Sequence, residues 1–240
     1  MIISCTPGVS SKSAVGKKFI INFSNYFCLK YYDQISGQSI HRLEFLSDGV
    51  FAICFTLLIL DIRVPVSEGI HSEQGLAHAF AALSPKLAAY FLSFMTLGIF
   101  WVAQSAQFYY IKKSNRKHTW INIFFLLFVS IIPFTTAFLS EYITFKFSVA
   151  LYWLNLFLLG QMLFFNWRHA DKHHLTGKDI EHKDEIGKAI RRRGITAQIC
   201  YAAGALLCLI NNYLSIAVLI GIQIGFALGL FSRRIKSNKR

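Results

Sequence analysis

Six stretches of apolar residues, each about long enough to cross a lipid bilayer, constrain this sequence more than any other feature. They lie at about 40–62, 86–111, 118–139, 145–167, 194–210 and 213–231. A helix rises ~1.5 Å per residue, so about 20 residues cross the ~30 Å hydrocarbon core. The chain is 54% hydrophobic and has a mean hydropathy of +0.45. We therefore expect an all-α membrane protein with six transmembrane helices.

The basic residues lie in the gaps between the apolar stretches. Of the 25 lysines and arginines, all but Arg63, Lys86 and Lys146 fall on one side of a six-span arrangement. The positive-inside rule then predicts an integral membrane protein with both termini in the cytoplasm. The net charge of +13 is explained by this topology and by contact with membrane lipids. It does not predict nucleic-acid binding.

A single carboxylate marks the first apolar stretch. From Phe45 to Leu60 the only charged side chain is that of Asp48. A carboxylate at such a depth is unfavourable unless it faces protein or water, so it marks a functional position by default. Asp48 either forms an ion pair with Arg42 or raises the local concentration of cations along a transport path. We favour the ion pair.

The same stretch carries an apolar stripe. Ile53, Leu57 and Leu60 follow i, i+4, i+7 spacing, and Thr56 lies close to the same side of the helix. Spacing alone favours packing or lipid contact for such a stripe. A role in conduction needs a further argument.

The stripe lies within a longer sequence motif. Arg42 is followed by Ser47-Asp48-Gly49-Val50-Phe51-Ala52-Ile53, and then by Thr56-Leu57-Leu58. This segment resembles the transmembrane protein 175 family, the unconventional potassium channels of endolysosomes and their bacterial relatives. The family has an Arg followed by Phe-Ser-Asp, and here Leu46 stands in the usual Phe position. Trp101 and the segment from Asn122 to Thr135 also match, so the resemblance covers about 40–232.

The resemblance implies a homotetramer in which four six-helix subunits surround a central pore lined by the first helix. Neither the family nor this sequence has the Thr-Val-Gly-Tyr-Gly filter. Bulky apolar rings would form the constriction instead, here Ile53, Leu57 and Leu60, with Thr56 as a nearby hydroxyl. The implied function is a potassium-permeable cation channel that also passes other monovalent cations and needs no cofactor.

The resemblance also implies a polar network that fixes the first helix against the second and third. On this chain its members would be Arg42, Ser47, Asp48, Trp101, Gln104 and Asn122. Family members commonly carry a His soon after the second-helix Trp. Here Gln104 and Gln107 follow Trp101, so the network is expected to be uncharged at that point.

Three regions complete the expected organisation. Residues 1–38 are a cytoplasmic tail with an interfacial helix near 17–32, 39–232 form the channel domain, and 233–240 form a basic cytoplasmic tail. Within the channel domain we expect a linker at 63–84 and a helix on the cytoplasmic surface within 168–193. Pro133 should kink the third span.

Other functions were weighed against the channel. The runner-up is a proton-coupled secondary transporter that uses Asp48, although the chain shows no inverted repeat. A scaffold or lipid-binding protein is a third class. His169 and His173 have the i, i+4 spacing of metal ligands but lack a third partner, so we interpret them as solvated loop residues. No nucleophile elbow, phosphate loop or paired membrane carboxylates suggest an enzyme.

Overall fold

The structure is a computed structural model that describes residues 40–65, 71–177 and 183–229, and these residues form an all-α protein. Its helices are α1 (Ile40–Leu60), α2 (Glu73–Ala81), α3 (Ser84–Tyr110), α4 (Arg116–Glu141), α5 (Lys146–Lys172), α6 (Lys183–Leu206) and α7 (Asn212–Ala227). Among the described residues, α1, α3, α4 and α5 are long and apolar enough to cross a membrane. Helix α7 is apolar but has only 16 residues, and the first turns of α6 are charged.

Side-chain caps explain where several helices begin. Asn115 Oδ1 accepts a hydrogen bond from the His118 backbone N–H at 2.8 Å at the start of α4. At the start of α7, Asn211 Oδ1 accepts a hydrogen bond from the Tyr213 backbone N–H, also at 2.8 Å. These contacts satisfy backbone donors that have no partner within the helix.

The helices pack as a bundle around one main apolar core. Helix α1 lies against α3 and α4, and α4 pairs along its length with α5. Helix α6 packs on α5 and α7, and α7 closes the bundle against α3. Bulky side chains buried between these helices include Phe51, Leu97, Phe125, Ile132 and Leu159.

One end of the bundle gathers the start of α1, the end of α3, the start of α4 and the end of α5. We call it the basic end, because it holds Lys112, Lys113, Arg116 and Lys117. There the Lys112 backbone N–H donates to the Leu175 carbonyl at 3.0 Å, which ties the segment after α3 to the segment after α5. A small second core covers this junction; it consists of Ile40, Leu43, Phe108, Ile111, Ala170 and Leu175.

The opposite end gathers the other helix termini. Lys86 and Glu141 form an ion pair at 3.3 Å, Asn212 Nδ2 donates to the Ile143 carbonyl at 2.9 Å, and Lys146 Nζ donates to the Leu209 carbonyl at 3.1 Å. Helices α1, α3, α4, α5, α6 and α7 therefore alternate in direction along the chain.

Two features of the fold differ from the expectations. The linker at 63–84 contains α2, which Ser72 caps through a 3.0 Å hydrogen bond from the Gly75 N–H. The surface helix expected within 168–193 is not separate from the next span: α6 runs without a break from Lys183 to Leu206. It contains no Pro, and it continues through Gly194. Helix α4 likewise continues through Pro133. The regions 1–38 and 233–240, including the interfacial helix expected at 17–32, lie outside the described residues.

Candidate functional site

Helix α1 has one face buried inside the subunit. Ser47, Phe51, Cys54 and Leu58 follow 4-3-4 spacing, and all of them are buried against α3 and α4. The Cys54 thiol lies 3.7 Å from the Val129 carbonyl, so the two helices approach closely there. This regular stripe fixes the rotation of α1 about its own axis.

The opposite face of α1 is open. Ile53, Leu57 and Leu60 are 60%, 43% and 71% exposed, and Thr56 is exposed beside them. Of the four candidate spans, α1 has the smallest buried share. The three residues that the resemblance placed in a constriction thus share one uncovered face of the protein with Thr56.

Thr56 is oriented by its own helix. Its Oγ1 donates to the Ile53 carbonyl at 2.8 Å, with the Ala52 carbonyl at 3.3 Å. A hydroxyl has one donor and two lone pairs. The oxygen therefore keeps its acceptor capacity on the open face.

A buried polar contact joins α1 to its neighbours near the basic end. Gln104 Nε2 lies 3.2 Å from Ser47 Oγ and 3.3 Å from Asn122 Oδ1, and all three side chains are buried. Ser47 in turn donates to the Leu43 carbonyl at 2.8 Å. The structure thus brings together three of the six residues named for the polar network, one each from α1, α3 and α4.

Asp48 and Trp101 form a second contact of the same pair of helices. Trp101 Nε1 donates to Asp48 Oδ1 at 2.9 Å on the outer side of the bundle. The favoured Arg42–Asp48 ion pair is absent from the salt bridges of the described residues. Arg42 is exposed near the start of α1, whereas Asp48 turns towards α3, where the indole N–H satisfies it. The expectation of an ion pair was therefore wrong for this structure.

Further amides extend the network to α5. Asn122 Nδ2 donates to Asn166 Oδ1 at 2.8 Å, and Asn166 Nδ2 donates to Gln107 Oε1 at 2.9 Å. Gln107 Nε2 then donates to the Leu163 carbonyl at 3.0 Å. Asn166 was missed by the sequence analysis, although a lone amide between Phe165 and Trp167 in an apolar stretch is a signal of this kind.

Two histidines flank the network at the basic end. His118 is fully buried, and its Nδ1 lies 2.9 Å from Ser114 Oγ. The rings of His118 and His169 are nearly parallel, and their centroids are 6.5 Å apart. His169 Nε2 lies 3.1 Å from Asn115 Oδ1. The interpretation of His169 as a solvated loop residue was wrong, because it lies in the last turn of α5 against the α4 cap. The described residues contain no cluster of three side chains that would hold a metal ion.

A separate hydroxyl cluster lies deeper in the bundle. Tyr152 OH is 3.0 Å from Thr96 Oγ1 and 3.2 Å from Ser93 Oγ, and Thr136 Oγ1 donates to Ser93 at 2.6 Å. Gln223 of α7 donates to Thr96. Such contacts hold helices together in a membrane interior, where polar groups have no water as an alternative partner.

These features define a class. The protein is an integral membrane protein of the all-α type, in which polar contacts hold one face of the first span and an apolar face is left uncovered. Comparison with known proteins assigns it to a family. Residues 42–133 match the family model described as endosomal/lysosomal potassium channel TMEM175.

Two bacterial relatives and one solved structure agree with that match. A potassium channel from Streptomyces collinus is 45% identical over 102 residues, which are 42% of this chain and 48% of the relative. A potassium channel from Chamaesiphon minutus is 31% identical over 193 residues, or 78% of this chain and 93% of the relative. The crystal structure of a lysosomal potassium-selective channel TMEM175 homolog from Chamaesiphon minutus gives a TM-score of 0.64 at 28% identity, covering 79% of this chain and 96% of that one. The chain belongs to the TMEM175 family, as a bacterial-type member.

Proposed function

We propose that this protein is a potassium-permeable cation channel in which four copies surround a central pore lined by α1. The open face of α1 carries this proposal: Ile53, Leu57 and Leu60 point away from the subunit while the opposite face is fixed by Phe51, Cys54 and Leu58. The relatives named as potassium channels support potassium as the permeant ion.

Ring closure explains why such a face is left uncovered. In a cyclic homotetramer each subunit presents the same surface to the common axis. Four copies of Ile53, four of Leu57 and four of Leu60 then form three stacked apolar rings about that axis. An apolar ring opposes ion passage by dewetting, and a small widening restores conduction.

Thr56 supplies a polar layer between these rings. Because its hydroxyl proton is directed to the Ile53 carbonyl, its oxygen lone pairs remain available to a passing cation. Four such oxygens replace only part of a hydration shell. The pore therefore discriminates potassium from sodium modestly, and it passes other monovalent cations.

The polar contacts behind α1 act as supports. Gln104 holds Ser47, and Trp101 holds Asp48, so the first turns of α1 are fixed to α3 on two sides. Arg42 is exposed near the start of α1 and forms no ion pair within the described residues, so it is available to a neighbouring subunit in the assembled tetramer. These residues position the pore helix and do not themselves contact the ion.

The topology follows from the alternation of six helices. Lys146 and Asn212 hold the ends of α6 and α7 at the opposite end of the bundle. Together with α1, α3, α4 and α5, these helices make six spans of a channel domain at 39–232. The basic end then faces the cytoplasm of the bacterial inner membrane, as do both tails.

Potassium flux from liposomes tests the function. The purified protein is reconstituted with internal KCl, and efflux is followed with a proton ionophore that compensates charge. A channel gives efflux down the potassium gradient alone; efflux persists with rubidium or caesium and falls with sodium. A chain without conduction gives efflux no faster than empty liposomes.

The same preparation separates the channel from the transporter alternative. Without ionophore, an imposed proton gradient drives potassium through a coupled transporter but not through a simple pore. Flux that requires the proton gradient and vanishes in the Asp48→Asn variant would contradict the channel. The relatives named as potassium channels favour conduction over coupling.

A further inference from the structure

A cavity of about 350 Å³ lies between α3, α5, α6 and the end of α7, and none of its lining residues belongs to α1. Its volume falls within the ~300–1,000 Å³ range of small-molecule sites. Most of its wall is apolar and includes Ile99, Phe100, Leu163, Ile195 and Phe226. Nothing in the proposed conduction path uses it.

Polar atoms in the wall lack partners. Tyr201 and Trp167 are 2% and 4% exposed, and neither Tyr201 OH nor Trp167 Nε1 has a hydrogen-bond partner among the described residues. The Gln198 side-chain carbonyl is in the same condition. All three side chains line the cavity. Burying such groups without partners is unfavourable, so they indicate a ligand that carries polar atoms as well as apolar ones.

Gly160 makes room in this wall. A Cβ at that position would overlap the Gln198 amide nitrogen. The missing side chain therefore lets the Gln198 amide lie against α5 at the cavity.

A positive charge lies at the same site. Arg193 lines the cavity, and it forms no ion pair in the part of the chain that the structure describes. Arg191 and Arg192 precede it on α6 but do not line the cavity. The cavity is built from the C-terminal halves of α3 and α5 and from the middle of α6, so it lies in the half of the bundle nearer the basic end.

We propose that this cavity binds an acyl chain of an acidic phospholipid, with the lipid phosphate at Arg193. The apolar wall matches the chain, an ester oxygen accepts a hydrogen bond from the unpartnered Tyr201 OH, and the guanidinium matches the phosphate. The acyl chain of a neutral lipid also fits the apolar wall, but such a lipid leaves Arg193 without a counter-charge. The site is therefore selective for acidic headgroups.

Lipid retention tests this proposal. The full-length protein is reconstituted in vesicles of phosphatidylcholine with a minority of phosphatidylglycerol, extracted in detergent and purified by size exclusion. Lipid that remains bound is quantified by mass spectrometry per protein chain. We expect phosphatidylglycerol to be enriched several-fold over its share in the vesicles. If the bound lipid contains phosphatidylcholine and phosphatidylglycerol in the same ratio as the vesicles, the proposal is overturned.

Two matched pairs of variants locate the site. Arg193→Gln should abolish the enrichment, whereas Arg191→Gln, with the same charge change two residues away, should keep it. Ala106→Phe fills the cavity and should remove the bound lipid, whereas Ala150→Phe adds the same bulk at an exposed position outside it.

A variant is compared only if its elution volume in size exclusion matches that of the wild type, which shows that it has folded and assembled. Equal loss in Arg191→Gln and Arg193→Gln would show that a basic surface attracts the lipid and would overturn the proposal. Retention unchanged in both Arg193→Gln and Ala106→Phe would do the same. The readout involves no ion flux, so it is independent of the proposed channel activity.

Discussion

The Trp101 indole N–H donates to the Asp48 carboxylate at 2.9 Å, and this contact fixes the first turns of α1 against α3. It lies one residue from the buried contact between Ser47 and Gln104. The only carboxylate in the apolar part of α1 thus contacts Trp101 of α3 and not Arg42, the partner that the sequence favoured.

A double-mutant cycle tests that pairing. Trp101→Phe and Asp48→Ala should each lower the thermal unfolding midpoint, and the double variant should lose less than the sum, with a coupling of about 0.5–1.5 kcal/mol. Arg42→Gln is the control, because Arg42 forms no ion pair with Asp48 in this structure. A larger coupling between Arg42 and Asp48 than between Trp101 and Asp48 would contradict the assignment.

Ile53→Asn should raise the potassium flux. An amide in the apolar ring holds water in the constriction and lowers the barrier from dewetting. Ile59→Asn is a matched control, since Ile59 is also exposed on α1 but lies away from the stripe. Single-channel recording in planar bilayers measures both. A rise in conductance for Ile59→Asn, with none for Ile53→Asn, would place the constriction on another face.

Thr56→Val should lower potassium flux and weaken discrimination against sodium, because the near-isosteric side chain lacks the oxygen. Thr56→Ser keeps the hydroxyl and should retain both properties. Reversal potentials under bi-ionic conditions give the permeability ratio. A Thr56→Val channel with the wild-type ratio would remove the hydroxyl from the account of selectivity.

Gln104→Leu should destabilise the protein by about 1–3 kcal/mol, because Ser47 and Asn122 lose a buried donor. A change of this size lowers the unfolding midpoint of a domain of this length by about 2–4 °C per kcal/mol. Gln74→Leu on the exposed helix α2 is the control and should change the midpoint little. Equal effects of the two substitutions would show that the contact contributes nothing to stability.

Much of the fold could be predicted from hydropathy and charge. The apolar stretches at 40–62, 86–111, 118–139 and 145–167 correspond to α1, α3, α4 and α5, since an apolar run of span length has few alternatives to a helix. The sequence predicted the structure less well at 168–193, where it suggested a separate surface helix. Periodicity there indicates a helix but not whether it joins the next one. Gly194 at the expected boundary is compatible with a helix end, yet α6 continues through it.

The site was partly predictable in the same way. The i, i+4, i+7 spacing placed Ile53, Leu57 and Leu60 on one face of α1, because helix geometry alone relates them. It did not give the partner of Asp48: the sequence favoured Arg42, whereas the contact with Trp101 depends on how α1 is rotated against α3. The contacts of His118 and Asn166 depend on the packing of α4 against α5, for which a single sequence carries no register signal.

Cysteine block at position 57 tests the central claim, that α1 lines the conducting path, most directly. Leu57→Cys and Ile59→Cys are made in a background in which the five native cysteines are replaced and flux is retained. A small thiol-reactive cation is then added during potassium flux. The account predicts rapid block of Leu57→Cys and no block of Ile59→Cys. Complete modification of Cys at position 57 with potassium flux unchanged would contradict it.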